Sequence, residues 1–202
     1  MLPKNLEQLQ KQFQRFPGIG PRQARRFVFH LLKEDPENVR RLAEYLKDMQ
    51  TEVVLCNDCY LPTENVKSSK CSVCTDEKRD HLSLCIVEKE SDALNLEKTK
   101  IHNGKYLIIG ENISPLKKSV IPKKRLSSLV KRVENSKDKY EIILALNNTR
   151  EGNFTTLYIQ ELFKKKDLPN VKLTRLGRGL STGSELEYAD EETIRNALEN
   201  RS

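Results

Sequence analysis

Four of the chain's five cysteines stand in two pairs, Cys56-Asn57-Asp58-Cys59 and Cys71-Ser72-Val73-Cys74. Two residues between paired cysteines let one tight turn aim both sulfurs at a common point. Two such turns complete the tetrahedral thiolate shell that zinc takes in structural sites. A closed shell leaves no position for a reacting water, so the chemistry expected is structural: one zinc ion per chain, held by Cys56, Cys59, Cys71 and Cys74. The alternatives are paired disulfides, free thiols or a redox CxxC. Disulfides rarely persist inside cells, and the redox motif occurs once rather than twice in register. The intervening stretch, Tyr60 to Lys70, is polar and is expected to need the ion to hold its shape. Zinc binding in small cysteine-rich modules contributes on the order of 10 kcal/mol to folding.

A second chemistry is written in Pro17-Gly18-Ile19-Gly20-Pro21, followed by Arg22, Arg25 and Arg26. Glycines at 18 and 20 free the backbone for a sharp turn and expose N–H groups at a helix N-terminus, where partial positive charge attracts phosphate. Arg22 and Arg26 lie one helical turn apart, on the same face. Such a site reads phosphates rather than bases. The pattern resembles the helix–hairpin–helix element of many DNA repair proteins, so Gly18, Gly20, Arg22, Arg25 and Arg26 are the expected DNA contacts. The alternative is a packing hairpin with solvated arginines.

The elements that must carry these residues follow from periodicity. Leu6, Leu9, Phe13 and Phe16 share one helical face up to Pro17. A second helix starts at Pro21 and is expected to bury Ala24, Phe27, Val28, Leu31 and Leu32. A third, capped by Asp35 with Pro36 in its first turn, is expected to bury Val39, Leu42, Ala43, Leu46 and Met49. Beyond Asp80 the pattern changes to short apolar runs, 84–87, 106–109, 142–146 and a weaker 171–176, which read as strands buried on both faces. Between them a short helix is expected over 92–98. Leu126, Leu129, Val130 and Val133 form one helical face, and Phe154, Leu157, Tyr158 and Leu162 another. The alternation argues for a parallel-rich α/β sheet. Cys85 is expected in the first strand as a small buried hydrophobe. His30, His81 and His102 are scattered and take no catalytic role.

Composition bounds the rest. A 37% hydrophobic content supports folded domains with small cores, and a net charge of +7 points toward a polyanion. No apolar run reaches membrane-spanning length, and Met1-Leu2-Pro3-Lys4-Asn5 lacks the apolar core of a signal peptide, so a cytoplasmic protein is expected. Between Asn112 and Val133 lie Lys117, Lys118, Lys123, Lys124, Arg125, Lys131 and Arg132 with no acid. They read either as a solvated face or as a second DNA contact. Glu185, Glu187, Asp190, Glu191 and Glu192 then precede a terminal helix with Ile194, Ala197 and Leu198 on its apolar edge. That edge could pack on its own domain or on a neighbouring subunit.

Ligand sites in such sheets gather at the C-terminal ends of strands. Glu88 ends the first strand, and Asn147-Asn148-Thr149-Arg150-Glu151-Gly152-Asn153 follows the third. The layout looks like the Toprim domain, whose catalytic members join the glutamate to an Asp-x-Asp pair and hold magnesium for phosphoryl transfer. Here the turn has no aspartate, and Glu151 stands where the pattern needs two carboxylates.

Helical hairpin, four-cysteine finger and Toprim-like domain, in this order, resemble the bacterial RecR recombination mediators over nearly the whole chain. Matching segments are Phe16 to Pro21, both CxxC turns, Leu84 to Glu88, Ile113-Ser114-Pro115-Leu116, Leu144 to Thr149 and Gly183 to Asp190. Two departures stand out: the family usually has glutamate where Asn153 stands, and often Gly-Gly where Gly183-Ser184 stands. The resemblance implies an α+β multidomain chain. Residues 1–53 would be the helix–hairpin–helix region, 54–79 the zinc finger, 80–176 the Toprim-like domain and 177–202 a C-terminal segment making subunit contacts. It further implies a non-enzymatic ring, commonly a homotetramer, that binds single- and double-stranded DNA without sequence preference. With RecO and RecF, such rings help load RecA onto gaps covered by single-strand binding protein. Glu88 and Glu151 match acidic positions where the family offers a surface to RecO. The competing reading is a metal-dependent Toprim nuclease or primase-like enzyme using the same two glutamates. An ATPase is weaker, because Gly177 to Gly183 lacks the phosphate-loop lysine.

Overall fold

A computed structural model describes residues 2–65, 68–116, 119–199 and 201. The chain divides into two compact units, Met1–Val54 and Leu55–Ser202. No described helix is long and apolar enough to cross a membrane.

The first unit is helical: α1 (Lys4–Phe13), α2 (Pro21–Lys33) and α3 (Pro36–Glu52). The Phe13 ring meets Phe27 edge-on at 5.6 Å and ties α1 to α2. Gly20 caps α2 with Pro21 in its first turn. The Asp35 carboxylate caps α3 by accepting a 2.9 Å bond from the Glu37 N–H. The expected burial fails for the outer stripes. Of the residues named for α2, Ala24 and Val28 are fully buried, but Leu32 is 62% exposed. No residue of α3 is buried; Val39 is half-buried, and Leu42, Ala43, Leu46 and Met49 lie exposed. Periodicity identifies an apolar face without saying what covers it, and among the described residues of this unit most of α3's stays uncovered.

From the boundary onward, β1 (Val53–Leu55) and β2 (Pro62–Glu64) form a two-stranded ribbon, and α4 is the short Ser72–Thr75. There follow β3 (Ser83–Val87), α5 (Glu90–Thr99), β4 (Lys105–Ile108), α6 (Val120–Glu134), β5 (Tyr140–Ala145), α7 (Arg150–Lys165) and β6 (Val171–Arg175). A 3-10 turn, Leu186–Tyr188, precedes α8 (Glu191–Glu199). The four longer strands form one parallel sheet in the order β4-β3-β5-β6, as the continuous apolar runs predict.

Both faces of the sheet are covered. Leu84, Ile86, Ile142 and Leu144 pack against Leu126, Val130 and Val133 of α6 and Ile159 and Phe163 of α7. On the other face Cys85, Val87, Tyr106 and Ile108 pack with Ala93 of α5 and the four paired cysteines. The finger also closes the outer side of β4: Ile108 N–H donates to the Cys59 carbonyl at 2.9 Å, and Lys105 Nζ to the Cys74 carbonyl at 3.0 Å.

The face expected for α7 holds for Tyr158 and Leu162, which pack half-buried against the core, and is corrected at Phe154 and Leu157. Phe154 and Leu157 are 39% and 60% exposed, whereas Gly152, Thr155, Thr156, Ile159 and Phe163 face inward. The threonines can be buried because each hydroxyl bonds back to its own helix: Thr155 to the Glu151 carbonyl at 2.7 Å, Thr156 to that of Gly152 at 2.9 Å.

Candidate functional site

The ligand atoms of Cys56, Cys59, Cys71 and Cys74 lie within 4.8 Å of one another, all four residues buried and none in a disulfide. Tetrahedral zinc with bonds of about 2.3 Å requires sulfurs about 3.8 Å apart, and Cys59 and Cys71 approach to 3.4 Å. The main-chain N–H groups of Leu61 and Cys71 donate to the sulfurs of Cys59 and Cys56, each at 3.4 Å, as they would to thiolates. Hydrogen bonding with Cys71 pushes the Cys59 thiol up, and the same bond holds Cys71 far down. The donor set therefore fits a structural zinc ion. Cys85 stands apart in β3, its thiol pushed up to about 12 by burial, as expected of a small core residue.

The hairpin places its residues as the sequence suggests, with one refinement. Gly18 has φ +76, which L side chains rarely adopt, while Gly20 has an ordinary φ of −82. A Cβ at Gly20 would meet nothing within 4 Å. What glycine supplies there is an unobstructed approach to the start of α2. That first turn carries no acid. Arg22, Arg25 and Arg26 are exposed, and among the described residues none pairs with a carboxylate.

At the C-terminal ends of the central strands, Glu88 is 8% exposed; it accepts from the Asn147 amide at 3.1 Å and pairs with Lys89 at 3.5 Å. Asn147 thus takes the place at which a second carboxylate would repel Glu88. Glu151 lies exposed in the first turn of α7. Asn153 accepts from both Arg175 and Arg178, and Arg178 also pairs with Glu192 of α8. Two guanidinium groups converge on this end of the sheet, which disfavours a metal cation there. Among the described residues, the cysteines are the one cluster of three or more potential ligands drawn together.

Several contacts were not legible beforehand. Arg79 forks onto Glu97, donates to the Gly104 carbonyl at 3.1 Å and lies 3.5 Å from Asp76, and Tyr106 also donates to Glu97 at 3.0 Å. The Arg125 guanidinium sits 4.2 Å from the Tyr60 ring centroid and donates to the Ile108 carbonyl at 2.8 Å. Within the basic run, Lys123, Lys124, Lys131 and Arg132 are exposed; Lys117 and Lys118 lie outside the described residues.

Comparison with known proteins agrees with this layout. Residues 6–50 match the model of the RecR helix-hairpin-helix, 83–177 that of the Toprim domain and 179–202 that of the RecR C-terminal region. The chain is 40% identical over 202 residues to the Recombination protein RecR of Gloeothece citriformis, covering 100% of this chain and 97% of the relative. It is 38% identical over 196 residues to that of Bifidobacterium longum subsp. infantis, covering 97% and 94%. To that of Staphylococcus aureus it is 36% identical over 200 residues, covering 99% and 98%. With hairpin, cysteine cluster and parallel sheet in one order and the likeness running from end to end, this chain belongs to the RecR family.

Proposed function

We propose that the chain is a DNA-binding recombination mediator in DNA repair, working in the bacterial cytoplasm as a ring-forming clamp without chemistry of its own. The observation that carries the reading is the start of α2: an open, acid-free helix N-terminus beside three exposed arginines, none of which pairs with a carboxylate among the described residues. Main-chain N–H groups there meet phosphate, Gly18 and Gly20 shape the approach, and Arg22, Arg25 and Arg26 neutralise neighbouring phosphates. Each such site is weak, and several copies around a ring combine through effective concentration. A homotetramer suits the apolar residues that one chain leaves open, Leu42, Leu46 and Met49 of α3 and Leu186, Tyr188 and Leu198 in residues 177–202.

One zinc ion per chain would hold the finger by Cys56, Cys59, Cys71 and Cys74. The Toprim-like end would serve partners, RecO and RecF, in promoting RecA loading on DNA covered by single-strand binding protein. Glu151 is the accessible carboxylate for such a contact, while Glu88 is largely enclosed. Asn147 and the Arg175–Asn153–Arg178 cluster support a binding role over metal-dependent cleavage.

The test is the Arg22→Ala/Arg26→Ala variant in a salt titration of DNA affinity. Weakened binding with a flatter salt slope and an unchanged melting temperature is expected. Unchanged affinity would remove DNA from the hairpin. Magnesium-dependent cleavage abolished by Glu88→Gln would make the protein an enzyme.

A further inference from the structure

One face of α6 opens on a groove against the finger. Ile121, Lys124, Arg125, Ser128 and Arg132 recur at three- and four-residue spacing and so form a single stripe. Across from them stand Asn57 and Tyr60, and the groove between has a volume of about 640 Å³. It continues into a notch of about 90 Å³ that reaches Ser128 and Arg132. Its charge is one-sided. Asp58 is the one carboxylate lining it, and Lys70 already pairs with Asp58 at 3.0 Å. Among the described residues none of Lys124, Arg125 or Arg132 has an ion-pair partner.

We infer that this groove is a second nucleic-acid site, distinct from the hairpin, and that it takes the backbone and bases of a single strand. Lys124 and Arg132 project from α6 two turns apart, about 12 Å along the axis, so each can meet a different phosphate of one strand. Between them Arg125 and the half-buried Tyr60 on which it stacks both line the groove, where the guanidinium plane can take a base, and exposed Val120 and Ile121 add apolar surface at one end. A duplex would keep its bases turned inward, away from the stack. An acidic peptide would use the same cations, but it gains specificity by seating an apolar anchor. The apolar side chains of this groove, Leu55, Val120 and Ile121, are themselves exposed and form no enclosed seat, and the notch beyond them is only about 90 Å³. The inference rests on the chain binding DNA, as proposed above, and is independent of the hairpin's part in it.

The experiment compares full-length wild type, Lys124→Ala/Arg132→Ala, Arg22→Ala/Arg26→Ala and the combined variant. Fluorescence anisotropy with labelled oligothymidylate and with a labelled duplex is measured across a salt series, with melting temperature and zinc content recorded for each protein. Neither substituted groove residue is a zinc ligand. The groove variant is expected to melt as wild type and lose about tenfold in oligothymidylate affinity, with the salt slope reduced by about 1.4, two phosphates at roughly 0.7 each. Duplex affinity should change less. Photocrosslinking of iodouracil-substituted oligothymidylate to wild type should label Tyr60 or its neighbours. Wild-type affinity and slope in the groove variant, or crosslinks confined to the hairpin, would overturn the groove and leave the hairpin proposal standing. Loss confined to the hairpin variant would do the same. Equal losses on duplex and single strand would overturn the single-strand assignment. A groove that binds polyglutamate as tightly as oligothymidylate would belong to an acidic protein partner instead. If no protein binds either DNA, both proposals fall together.

Discussion

In the helical unit Ala24 and Val28 are the fully buried apolar residues among those described, while Leu32, Tyr45, Leu46 and Met49 each expose more than half of their surface. In the sheet unit, Leu84, Cys85, Ile86 and Val87 of β3 and their neighbours in β4 are almost wholly enclosed. The difference teaches where each unit's stability comes from. The sheet and finger close a core within one chain, with parallel strands covered on both faces. The helices carry comparable amphipathic patterning, yet one chain covers only the α1–α2 seam. The remaining stripe is surface that another chain is proposed to cover.

The contrast breaks most severely at the cysteines. Cys59→Ala, or prolonged chelation, should remove metal-linked folding energy on the order of 10 kcal/mol from the finger. Zinc analysis and thermal unfolding would register it, and an unaltered melting curve would mean that the sheet closes without the finger.

Next comes Gly152→Ala. An added Cβ would lie 2.0 Å from the Asn147 carbonyl oxygen, so the turn after β5 must move. A loss of about 3 kcal/mol in urea unfolding is expected; a loss below about 0.5 kcal/mol would show that the turn yields freely.

Arg79→Ala should cost about 2 kcal/mol by leaving Glu97 without its charged donor. The same pair sets a pH dependence. Hydrogen bonding from Arg79, opposed by burial and helped by Tyr106, holds the Glu97 carboxyl below its ordinary 4.5. Its stabilisation is therefore fully present above about 4.5 and fades as the pH falls through the lower folded value. Wild type and Arg79→Ala should accordingly converge in stability toward acid; a gap that stays constant with pH would assign the loss to packing.

The smallest effect on a single protomer belongs to the helical unit. Met49→Glu on exposed α3 should change protomer stability by less than about 0.5 kcal/mol. Under the proposed assembly it should nonetheless lower the particle mass measured by light scattering. An unchanged mass would leave the open stripe without the role proposed for it.

The sheet unit was legible because its signals are local. Paired CxxC turns announce their own geometry, and continuous apolar runs such as 84–87 mark doubly covered strands. The inward face of α7 escaped because Thr155 and Thr156 score as polar. Their hydroxyls are satisfied by their own helix, and Thr155 also receives the Ile113 N–H at 2.8 Å. The covering of α3 escaped for another reason, since hydropathy identifies a face and not its partner. The Arg79–Glu97 fork and the Tyr60–Arg125 stack join residues 18 and 65 positions apart, a pairing that only the folded chain creates.

Strand β4 lies at the margin of the sheet, and the Cys59 carbonyl occupies the Ile108 N–H that points away from β3. The metal-held loop is thus also a cover over a ready template for further strands. Starved of its ion, the protein would lose that cover and bare an apolar β-edge as the finger unravels. Such molecules join edge to edge, so chelation should produce insoluble aggregate that returning zinc does not redissolve.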